Sequence, residues 1–299
     1  MCGITGVIAH TDGTKHYLQA IHAATAAMDK RGPDQAGIFT EGPLALGHKR
    51  LSIIDTSHAA QQPFTDITGN YTLVFNGEIY NYQTLKESLI AKGYSFVSSS
   101  DTEVLLYHLI EFGVEQGITT VDGEFAFAFF DKQAGQLYVV RDRFGIKPFV
   151  YQKQPDGTFS FASEIKAIKK SPGFAKKLNV DQANLGLGLG WVGCGTETYY
   201  QGIESLSPAH NLVLDRGGLR IVPYWTLDPH SKRQQSPLEL QREFADLFNQ
   251  SLEIHLRSQV EVGACLSGGI DSSAIVSSIC GHHPDRILKV FHIYYSDYV

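Results

Sequence analysis

The chain has 299 residues, of which 43% are hydrophobic and 19% charged, and its formal net charge is -6. This size and composition are typical of a soluble globular protein with one large domain or two smaller ones, and the acidic balance argues against a nucleic-acid partner, whose binding depends on clustered Lys and Arg. Four cysteines without paired spacing, the lack of a leader pattern and the lack of a long apolar segment predict a cytoplasmic protein with no membrane span.

The first element of chemical interest is Cys2, which follows Met1 directly. Removal of Met1 would leave a thiol and a free α-amine on one residue. Such an amine titrates at roughly 7.7–8.0, so it could act as the base for its own thiol. Many chains begin Met-Cys by chance, and these two letters alone do not decide whether Cys2 is a nucleophile.

Up to about Trp225 the sequence predicts short strands with a few helices between them. The segments "YTLVFNGEIYN" and "GEFAFAFFDKQAGQLYVVRDRFGIKPFVY" are rich in Phe, Tyr and Val and are broken by turn residues. Because "EFAFAFFD" is apolar on both faces, we expect its strand to lie between two layers. Helices are predicted for "YLQAIHAATAAMDKRG" and for "DTEVLLYHLIEFG", the second with Asp101 as its N-cap. The charged "RDRFG" is interpreted as a structural turn and a contact between domains.

Beyond the polar, Pro-flanked segment "TLDPHSKRQQSP", the sequence predicts a long amphipathic helix, then a buried strand in "VEVGACL", then a helix starting near Ser272. The last two elements flank "SGGIDSS". Glycines after a strand let backbone amides approach an anion, and the helix directs its positive end at the same place. The lysine of a Walker A loop is missing, and a plain Gly-Gly turn capped by Asp271 and the serines is the alternative interpretation.

Several short motifs occur in the order in which the class II glutamine amidotransferases have them. They are Cys2-Gly3-Ile4, "RGPD" (31–34), "HKRLSIID" (48–55), "QQPF", "NGEIYN" (76–81), "SDTEV" (100–104) and "RDRFGIKPFVY". Together with "SGGIDSS" they resemble the glutamine-hydrolysing asparagine synthetases over most of the chain. The resemblance implies an α/β (α+β) fold. A four-layer αββα sandwich of the N-terminal nucleophile hydrolase type (1–227) would be followed by a linker (228–237) and the beginning of an α/β ATP-pyrophosphatase domain (238–299).

The same resemblance implies roles for individual residues. Cys2 would attack the side-chain amide of L-glutamine, and Asn76 with the backbone N–H of Gly77 would stabilise the oxyanion. Arg50 would bind the α-carboxylate and Asp101 the α-ammonium. The implied glutamine-binding residues are Arg50, Leu51, Ser52, Ile53, Ile54, Asn76, Gly77, Glu78 and Asp101. The implied ATP-binding residues are Leu266, Ser267, Gly268, Gly269, Asp271, Ser272, Ser273 and Ile293.

For the second half-reaction the resemblance implies ATP and Mg²⁺, which would serve to adenylate the β-carboxylate of L-aspartate before ammonia displaces AMP. Glutamine hydrolysis itself would need no cofactor, and no residue is assigned as a metal ligand. The resemblance leaves a homodimer open.

Two features depart from the family pattern. The chain ends at Val299, after one strand-loop-helix unit and the next strand, so we expect only the glutaminase half to be intact. The segment "NLGLGLGWVGCG" stands where the family has a helix, and each glycine weakens a helix by about 1 kcal/mol relative to alanine. Its spacing does not match a dinucleotide-binding fingerprint.

Three alternative functions remain at this point. The first is an amidotransferase of the same architecture that acts on another carboxylate, and the second is a catalytically silent relative that only binds glutamine. The third, a sugar-phosphate amidotransferase, is disfavoured by "SGGIDSS", which belongs with adenylation chemistry.

Overall fold

The computed structural model describes residues 1–9, 14–191, 193, 195–231 and 233–293. The chain divides into two compact units, Met1–Leu227 and Asp228–Val299. The strands of the first unit are β1 (Gly3–Ile8), β2 (Gln35–Glu41), β3 (Leu44–Arg50), β4 (Phe64–Thr65), β5 (Tyr71–Ile79), β6 (Gly123–Asp131), β7 (Gln136–Arg141), β8 (Val150–Lys153), β9 (Phe159–Ala162), β10 (Ile203–Ser205), β11 (His210–Asp215) and β12 (Gly218–Pro223). Its helices are α1 (Thr14–Ala26), α2 (Tyr82–Ala91), α3 (Asp101–Phe112), α4 (Val114–Gly117), α5 (Ile165–Ile168) and α6 (Val180–Leu189), with 3₁₀ turns at His58–Ala60 and Ile118–Thr120.

The described strands of this unit form two antiparallel sheets packed face to face. The first sheet has the order β10-β8-β9-β1-β3-β2 and the second the order β12-β11-β7-β6-β5-β4. Apolar side chains from both sheets share one buried cluster, which includes Ile4 and Phe161 of the first sheet and Val74 and Leu212 of the second. One part of the core of this unit therefore lies between the two sheets.

Helices cover the outer face of each sheet. Leu89 of α2 and Leu105 of α3 pack in a cluster with Phe127 of the second sheet. On the opposite side, Ile21 of α1 and Ile168 of α5 belong to buried clusters on the first sheet. The predicted αββα sandwich is confirmed.

Strand β6 lies in the middle of these layers, as its apolar sequence predicts. Its phenylalanines, such as Phe125 and Phe127, face the helices, whereas Ala126 and Ala128 face the first sheet. Residues of a strand point to alternate faces, so large side chains fill the helix-sheet layer and small ones let the two sheets approach.

The start of α3 differs from the prediction. Ser100, not Asp101, is the N-cap, and its Oγ accepts a hydrogen bond of 3.0 Å from the N–H of Thr102. Asp101 is the first helical residue, and its carboxylate accepts the N–H of Ile79 on β5 at 3.0 Å. The preceding serine takes the capping position, so the carboxylate of Asp101 is available for another task.

Helix α6 forms within the glycine-rich segment that was expected to disfavour it. Asn179 caps its start by accepting the N–H of Gln182 at 3.3 Å, and Gly190 ends it in the left-handed conformation. Caps at both ends compensate for the weak propensity of Gly186 and Gly188. Residues 192 and 194, the latter a cysteine for which a disulfide was disfavoured, lie outside the described residues.

The charged segment after β7 is a structural turn, as predicted. The buried carboxylate of Asp142 accepts backbone N–H groups of Phe144, Ile146 and Lys147 at 2.9 to 3.1 Å, and that of Phe125 on β6 at 3.2 Å. The predicted contact between domains stays a prediction.

The described part of the second unit consists of α7 (Pro237–His255), β13 (Gly263–Cys265), α8 (Ile270–His282) and β14 (Lys289–Phe291). Strands β13 and β14 are parallel neighbours. The prediction of a buried strand at β13 is wrong, since its residues are exposed or half-buried, and Ile279 is the one buried hydrophobic residue in the described part of this unit. Helix α8 was expected to start near Ser272, and it begins two residues earlier, at Ile270.

Within the described ranges, no helix is both long and apolar enough to cross a bilayer. The described cysteines, Cys2, Cys265 and Cys280, are free thiols.

His48 on β3 joins the two sheets by a hydrogen bond. Its ring is fully buried, and Nε2 lies 3.0 Å from the carbonyl oxygen of Phe75 on β5. Burial lowers the pKa of His48 to about 3, so the ring is neutral and Nε2 carries the proton that it donates. The bond holds β5 against β3 one residue before Asn76.

We expect His48 to make the fold sensitive to acid. The ordinary pKa of histidine is about 6.5, so between that pH and about pH 3 the unfolded chain binds a proton that the folded chain does not. The contribution of His48 to the free energy of unfolding should fall by about 1.4 kcal/mol per pH unit as the pH drops through this range. The substitution His48→Gln should remove that slope in denaturant titrations at pH 7, 5.5 and 4.5.

The exposed His22 offers a matched control, because His22→Gln changes a histidine without changing a bond between the sheets. Equal slopes for His48→Gln and the unsubstituted chain would contradict the prediction.

Candidate active site

The first candidate site residue is placed by the pairing of β1 with β3. The two strands are antiparallel, with Gly3 opposite Lys49. Continuing this register by one residue brings Cys2 opposite Arg50, at the end of the first sheet. Two residues that are 48 positions apart in sequence therefore meet because of strand register alone.

The thiol of Cys2 is held by the residue that follows β3. The N–H of Leu51 donates to Sγ at 3.4 Å, and Sγ lies 3.6 Å from the carbonyl oxygen of Leu51. On the backbone side of Cys2, Nε of Arg31 donates to the carbonyl oxygen of Cys2 at 2.8 Å, and Arg31 forms an ion pair of 3.2 Å with Glu164. These contacts fix both the side chain and the backbone of Cys2.

Burial raises the pKa of the Cys2 thiol, whereas the hydrogen bond from Leu51 and the charges of the N-terminal amine and Arg50 lower it, and the thiol stays protonated more readily than a free cysteine. A base is therefore needed to form the thiolate. The Met1 α-amine beside it has a lowered pKa, chiefly because of burial, with a contribution from the positive charge of Arg31.

Cys2 opens onto a cavity of about 180 Å³. This is smaller than the roughly 300–1,000 Å³ of sites for drug-sized ligands, so it suits a ligand of amino-acid size. The cavity is lined by Met1, Cys2, Arg50, Leu51, Ile53, Ile54, Gln62, Phe75, Asn76, Gly77, Glu78, Ser100, Asp101, Thr102, Glu124 and Lys147.

Asn76 and Gly77 on β5 form one wall of the cavity. The side chain of Asn76 is fully buried, yet neither Nδ2 nor Oδ1 has a hydrogen-bond partner. Buried polar groups are nearly always paired, so an unpaired amide at a cavity wall is a donor that lacks its acceptor. A Cβ at Gly77 would lie 2.3 Å from the carbonyl oxygen of Glu124, so only glycine fits where β5 meets β6.

Arg50 is a buried cation without a carboxylate partner. Its Nη1 donates to Oε1 of Gln35 and to the carbonyl oxygen of Ser57, both at 3.0 Å, and its Nη2 donates to the carbonyl oxygens of Ile54, at 3.1 Å, and Asp55. Arg50 is only 4% exposed, and it forms no ion pair with any described residue. Neutral acceptors orient the guanidinium, and the charges of Asp55 and Asp101 act on it without forming an ion pair.

Asp101 is the opposite case, a buried carboxylate without a cation. Burial raises its pKa to about 6, although hydrogen bonds from Ile79, Thr102 and Ser100 lower it. No ion pair to Asp101 occurs among the described residues. The cavity walls therefore carry a cation and a carboxylate that form no ion pair among the described residues, and together these charges match the α-carboxylate and α-ammonium of an amino acid.

A second group of charges lies beside them. The pKa of Glu78 is raised to about 7, first by burial and then by the negative charges of Asp101 and Glu124. Lys147 forms an ion pair with Glu124 and partly offsets this shift. Glu78 and Glu124 are direct partners across β5 and β6, so the sheet register brings these carboxylates together.

Nearly all residues predicted for the glutamine site line this cavity. Ser52 does not, because the loop turns its backbone N–H toward Oδ2 of Asp34, 2.8 Å away. The residues that sequence analysis missed are Gln62, Phe75, Ser100, Thr102, Glu124 and Lys147. Most of them lie inside or next to motifs that were recognised, whereas nothing in the sequence points to Glu124, which reaches the cavity through the β5–β6 register.

The predicted ATP-binding residues lie together in the second unit. Because β13 and β14 are parallel, their carboxyl ends meet at one edge, and the N–H of Leu266 donates to the carbonyl oxygen of Phe291 at 2.9 Å. This brings Ile293, which is exposed, to the same edge as Leu266 and Ser267.

The loop itself fits a phosphate group. Gly268 has a φ of 82°. The N-cap residue of α8 is Gly269, which has no side chain, so no capping side chain accepts from the first amides of the helix. The hydroxyls of Ser267 and Ser272 lie 3.1 Å apart beside these amides. Among the described residues there is no His, Cys, Asp and Glu cluster that could hold a metal ion by itself, so a cation at this loop would depend on the phosphate oxygens.

Comparison with known proteins gives a family match for each of the two units. The glutamine amidotransferase domain family matches residues 1–225, and the asparagine synthase family matches residues 243–298. The chain is 36% identical, over its full length, to asparagine synthetase [glutamine-hydrolyzing] 3 of Bacillus subtilis. It is 35% identical over 92% of its length to a putative asparagine synthetase of Methanocaldococcus jannaschii, and 32% identical over 93% to the amidase chry2 of Gibberella zeae.

The chain spans about half the length of these curated relatives, 48%, 56% and 43% respectively. Among solved structures, glutamine phosphoribosylpyrophosphate amidotransferase of B. subtilis matches 97% of this chain, and the chain covers 65% of that protein, with a TM-score of 0.55 at 19% identity. That likeness concerns the fold alone.

The family match extends over the whole αββα sandwich, and the cavity with Cys2 at its edge lies within the matched residues. The chain therefore belongs to the glutamine amidotransferase family.

Proposed function

We propose that the chain hydrolyses L-glutamine to glutamate and ammonia with Cys2 as the nucleophile. The observation that carries this proposal is the presence of two buried charged groups without ion pairs in the described part of the chain, Arg50 and Asp101, in one small cavity that ends at a thiol. Arg50 binds the α-carboxylate of glutamine and Asp101 binds its α-ammonium. Glutamine thus supplies each residue with the ionic partner that it lacks among the residues that the structure describes. The side chain of glutamine then extends toward Cys2.

The reaction begins when the Cys2 thiolate attacks the side-chain amide carbon. The carbon–nitrogen bond breaks, ammonia leaves, and a thioester remains, which water hydrolyses to glutamate and free thiol. The unpaired Nδ2 of Asn76 and the backbone N–H of Gly77 donate to the oxyanion of the tetrahedral intermediate. One such donor contributes roughly 3–4 kcal/mol to transition-state stabilisation.

The base for the thiol is the α-amine of Cys2 after removal of Met1. The amine takes the thiol proton and gives it to the departing nitrogen. An amine is useful in this role only when it is unprotonated near neutral pH. Arg31 and Lys147 lower the pKa of the Met1 amine after burial does, and Arg31, which donates to the carbonyl oxygen of Cys2, would lie beside the Cys2 amine as well.

The ammonia feeds an ATP-dependent amidation, most simply that of L-aspartate to asparagine in a cytoplasmic enzyme. The asparagine synthase family match at 243–298 and the phosphate-compatible loop support the use of ATP. Leu266, Ser267, Gly268, Gly269, Asp271, Ser272, Ser273 and Ile293 are the residues proposed to contact ATP. Magnesium would neutralise charge on the phosphates when bound.

An ammonia acceptor other than L-aspartate is the second candidate, because one relative of similar identity is named an amidase rather than an asparagine synthetase. The glutaminase half of the proposal is the same for either acceptor.

Substitution of the nucleophile is the first prediction. Cys2→Ala should lose at least about a thousandfold of glutaminase activity, measured as glutamate release, because no thioester can form. Intact mass should show that the active chain lacks Met1. The melting temperature should change little, since the backbone contact of Arg31 to residue 2 remains.

The exposed Cys280 provides the matched control. Cys280→Ala should keep full activity, and glutamate release by the Cys2→Ala chain at the unsubstituted rate would refute the proposed nucleophile.

The second prediction concerns pH. The pKa values of about 6 for Asp101 and about 7 for Glu78 mean that these acids take up protons as the pH falls below neutrality. A protonated carboxyl no longer attracts an ammonium group, so the dissociation constant of glutamine should rise as the pH falls, with each of the two acids adding up to about tenfold per pH unit below its own pKa. Calorimetric titration of the Cys2→Ala chain between pH 8 and 5 measures binding without turnover.

Glu111, at the far end of α3, supplies the control variant. Glu111→Gln should leave the pH dependence as it is, Glu78→Gln should remove the part that begins near pH 7, and a dissociation constant that stays flat to pH 5 would contradict the assignment.

A further inference from the structure

Asp55 is an unusual residue in the loop that follows β3. It is buried, and its backbone has a φ of 53°, in the left-handed region that residues other than glycine seldom adopt. It does not line the cavity. A buried carboxylate in a disfavoured backbone conformation needs compensating contacts, and these are found on two sides.

The Asp55 carboxylate accepts three hydrogen bonds. Its Oδ1 accepts the N–H of Ser57 at 3.0 Å and the hydroxyl of Ser57 at 2.6 Å, while its Oδ2 accepts the N–H of Ser99 at 2.7 Å. Burial raises the pKa of Asp55, but the bonds from Ser57 and Ser99 outweigh it and keep the pKa below its usual value. The group is therefore ionised at neutral pH and acts only as an acceptor.

On its own side of the cavity, Asp55 belongs to the set of acceptors that orient Arg50. The carbonyl oxygens of Ile54, Asp55 and Ser57 all accept from the guanidinium. The conformation of this short turn determines where those carbonyl oxygens point. The bonds from Ser57 to the Asp55 carboxylate hold the turn closed, so they hold the guanidinium as well.

On the other side, Asp55 holds the start of α3. Ser99 precedes the capping residue Ser100, and Asp101 follows directly. Asp101 in turn accepts the N–H of Ile79, beside Glu78 on β5. A single carboxylate thus connects the loop that presents Arg50 to the helix start that presents Asp101, although the two are separated by more than forty residues in sequence.

We propose that Asp55 is a positioning residue that fixes the separation of Arg50 and Asp101 and thereby sets the selectivity of the cavity for the α-amino-acid end of its substrate. The inference rests on the proposed glutamine site, because it assigns to Asp55 the spacing between the two charges that would bind glutamine. Both charges must reach their partners on one carbon atom, so a small change in their separation weakens one of the two contacts.

The substitution Asp55→Asn separates this role from general packing. Asparagine has nearly the same shape and tolerates a positive φ, so the backbone of the turn is retained. Its amide places an NH₂ group against backbone N–H donors, and one side of the connection, at Ser57 or at Ser99, must break.

The control is Asp66→Asn. Asp66 is also buried, and its carboxylate also accepts backbone N–H groups, from Thr68 and Asn70 at 2.9 Å and from Tyr71 at 2.8 Å, but it does not line or contact the candidate site. The two variants therefore make the same chemical change in two buried turns.

The experiment measures dissociation constants by calorimetry in the Cys2→Ala chain, for glutamine and for glutaramate, which lacks the α-ammonium. Asp55→Asn should weaken glutamine binding by about tenfold or more and should reduce the preference for glutamine over glutaramate. Asp66→Asn should leave both values unchanged even if it lowers the melting temperature. A chain that loses melting temperature at Asp55→Asn but keeps its glutamine affinity and preference would overturn the proposal.

If Asp55→Asn does not fold, Ser57→Ala decides the matter, because it removes one of the three bonds and keeps the carboxylate. It should weaken glutamine binding by about threefold, and unchanged binding would overturn the proposal. The proposed hydrolysis is tested separately by glutamate release from the unsubstituted chain. Binding that depends on Asp55 without hydrolysis would refute the glutaminase and support the positioning role, whereas a Cys2→Ala chain that binds no glutamine would refute both.

Discussion

The site depends on the register between β1 and β3. These neighbouring strands set Cys2 opposite Arg50 and let Leu51 bond to the thiol. Side chains alternate along a strand, so a slip of one residue would turn Arg50 away from the cavity and exchange the buried and exposed sets of both strands. The apolar residues of β1 and β3 between the two sheets therefore do more than stabilise the fold, because they also specify which residue lies beside the thiol of Cys2.

Charge is the second constraint. Arg50 and Asp101 are both buried without ionic partners among the described residues, an arrangement that a core selected for stability alone would avoid. The protein limits the cost with neutral acceptors around the arginine and backbone donors around the aspartate. A zwitterionic ligand completes both pairs at once, so the same arrangement that lowers stability favours binding of an amino acid.

Sequence reasoning recovered the parts of this site that are local. Short motifs carry Cys2, Arg50, Asn76 and Asp101, and the alternation of phenylalanine and alanine in β6 predicted a strand between two layers. Other parts depend on neighbours distant in sequence. Ser52 turns away because of Asp34.

The local errors had different causes. The cap of α3 was assigned one residue late because serine and aspartate are both good caps and are adjacent in the sequence. Propensity underestimated α6, whose caps stabilise it. The strand β13 has the composition of a buried strand, but within the described residues only β14 pairs with it.

The close approach of β5 and β6 at Gly77 has an evolutionary consequence. No side chain fits there, since a Cβ would meet the carbonyl oxygen of Glu124 at 2.3 Å. The donor proposed at this position is the backbone N–H of Gly77, and mutation cannot alter its chemistry without separating the strands. Drift toward a new substrate would therefore have to proceed through side chains such as Leu51, Ile53 and Ile54, which line the cavity from the loop after β3.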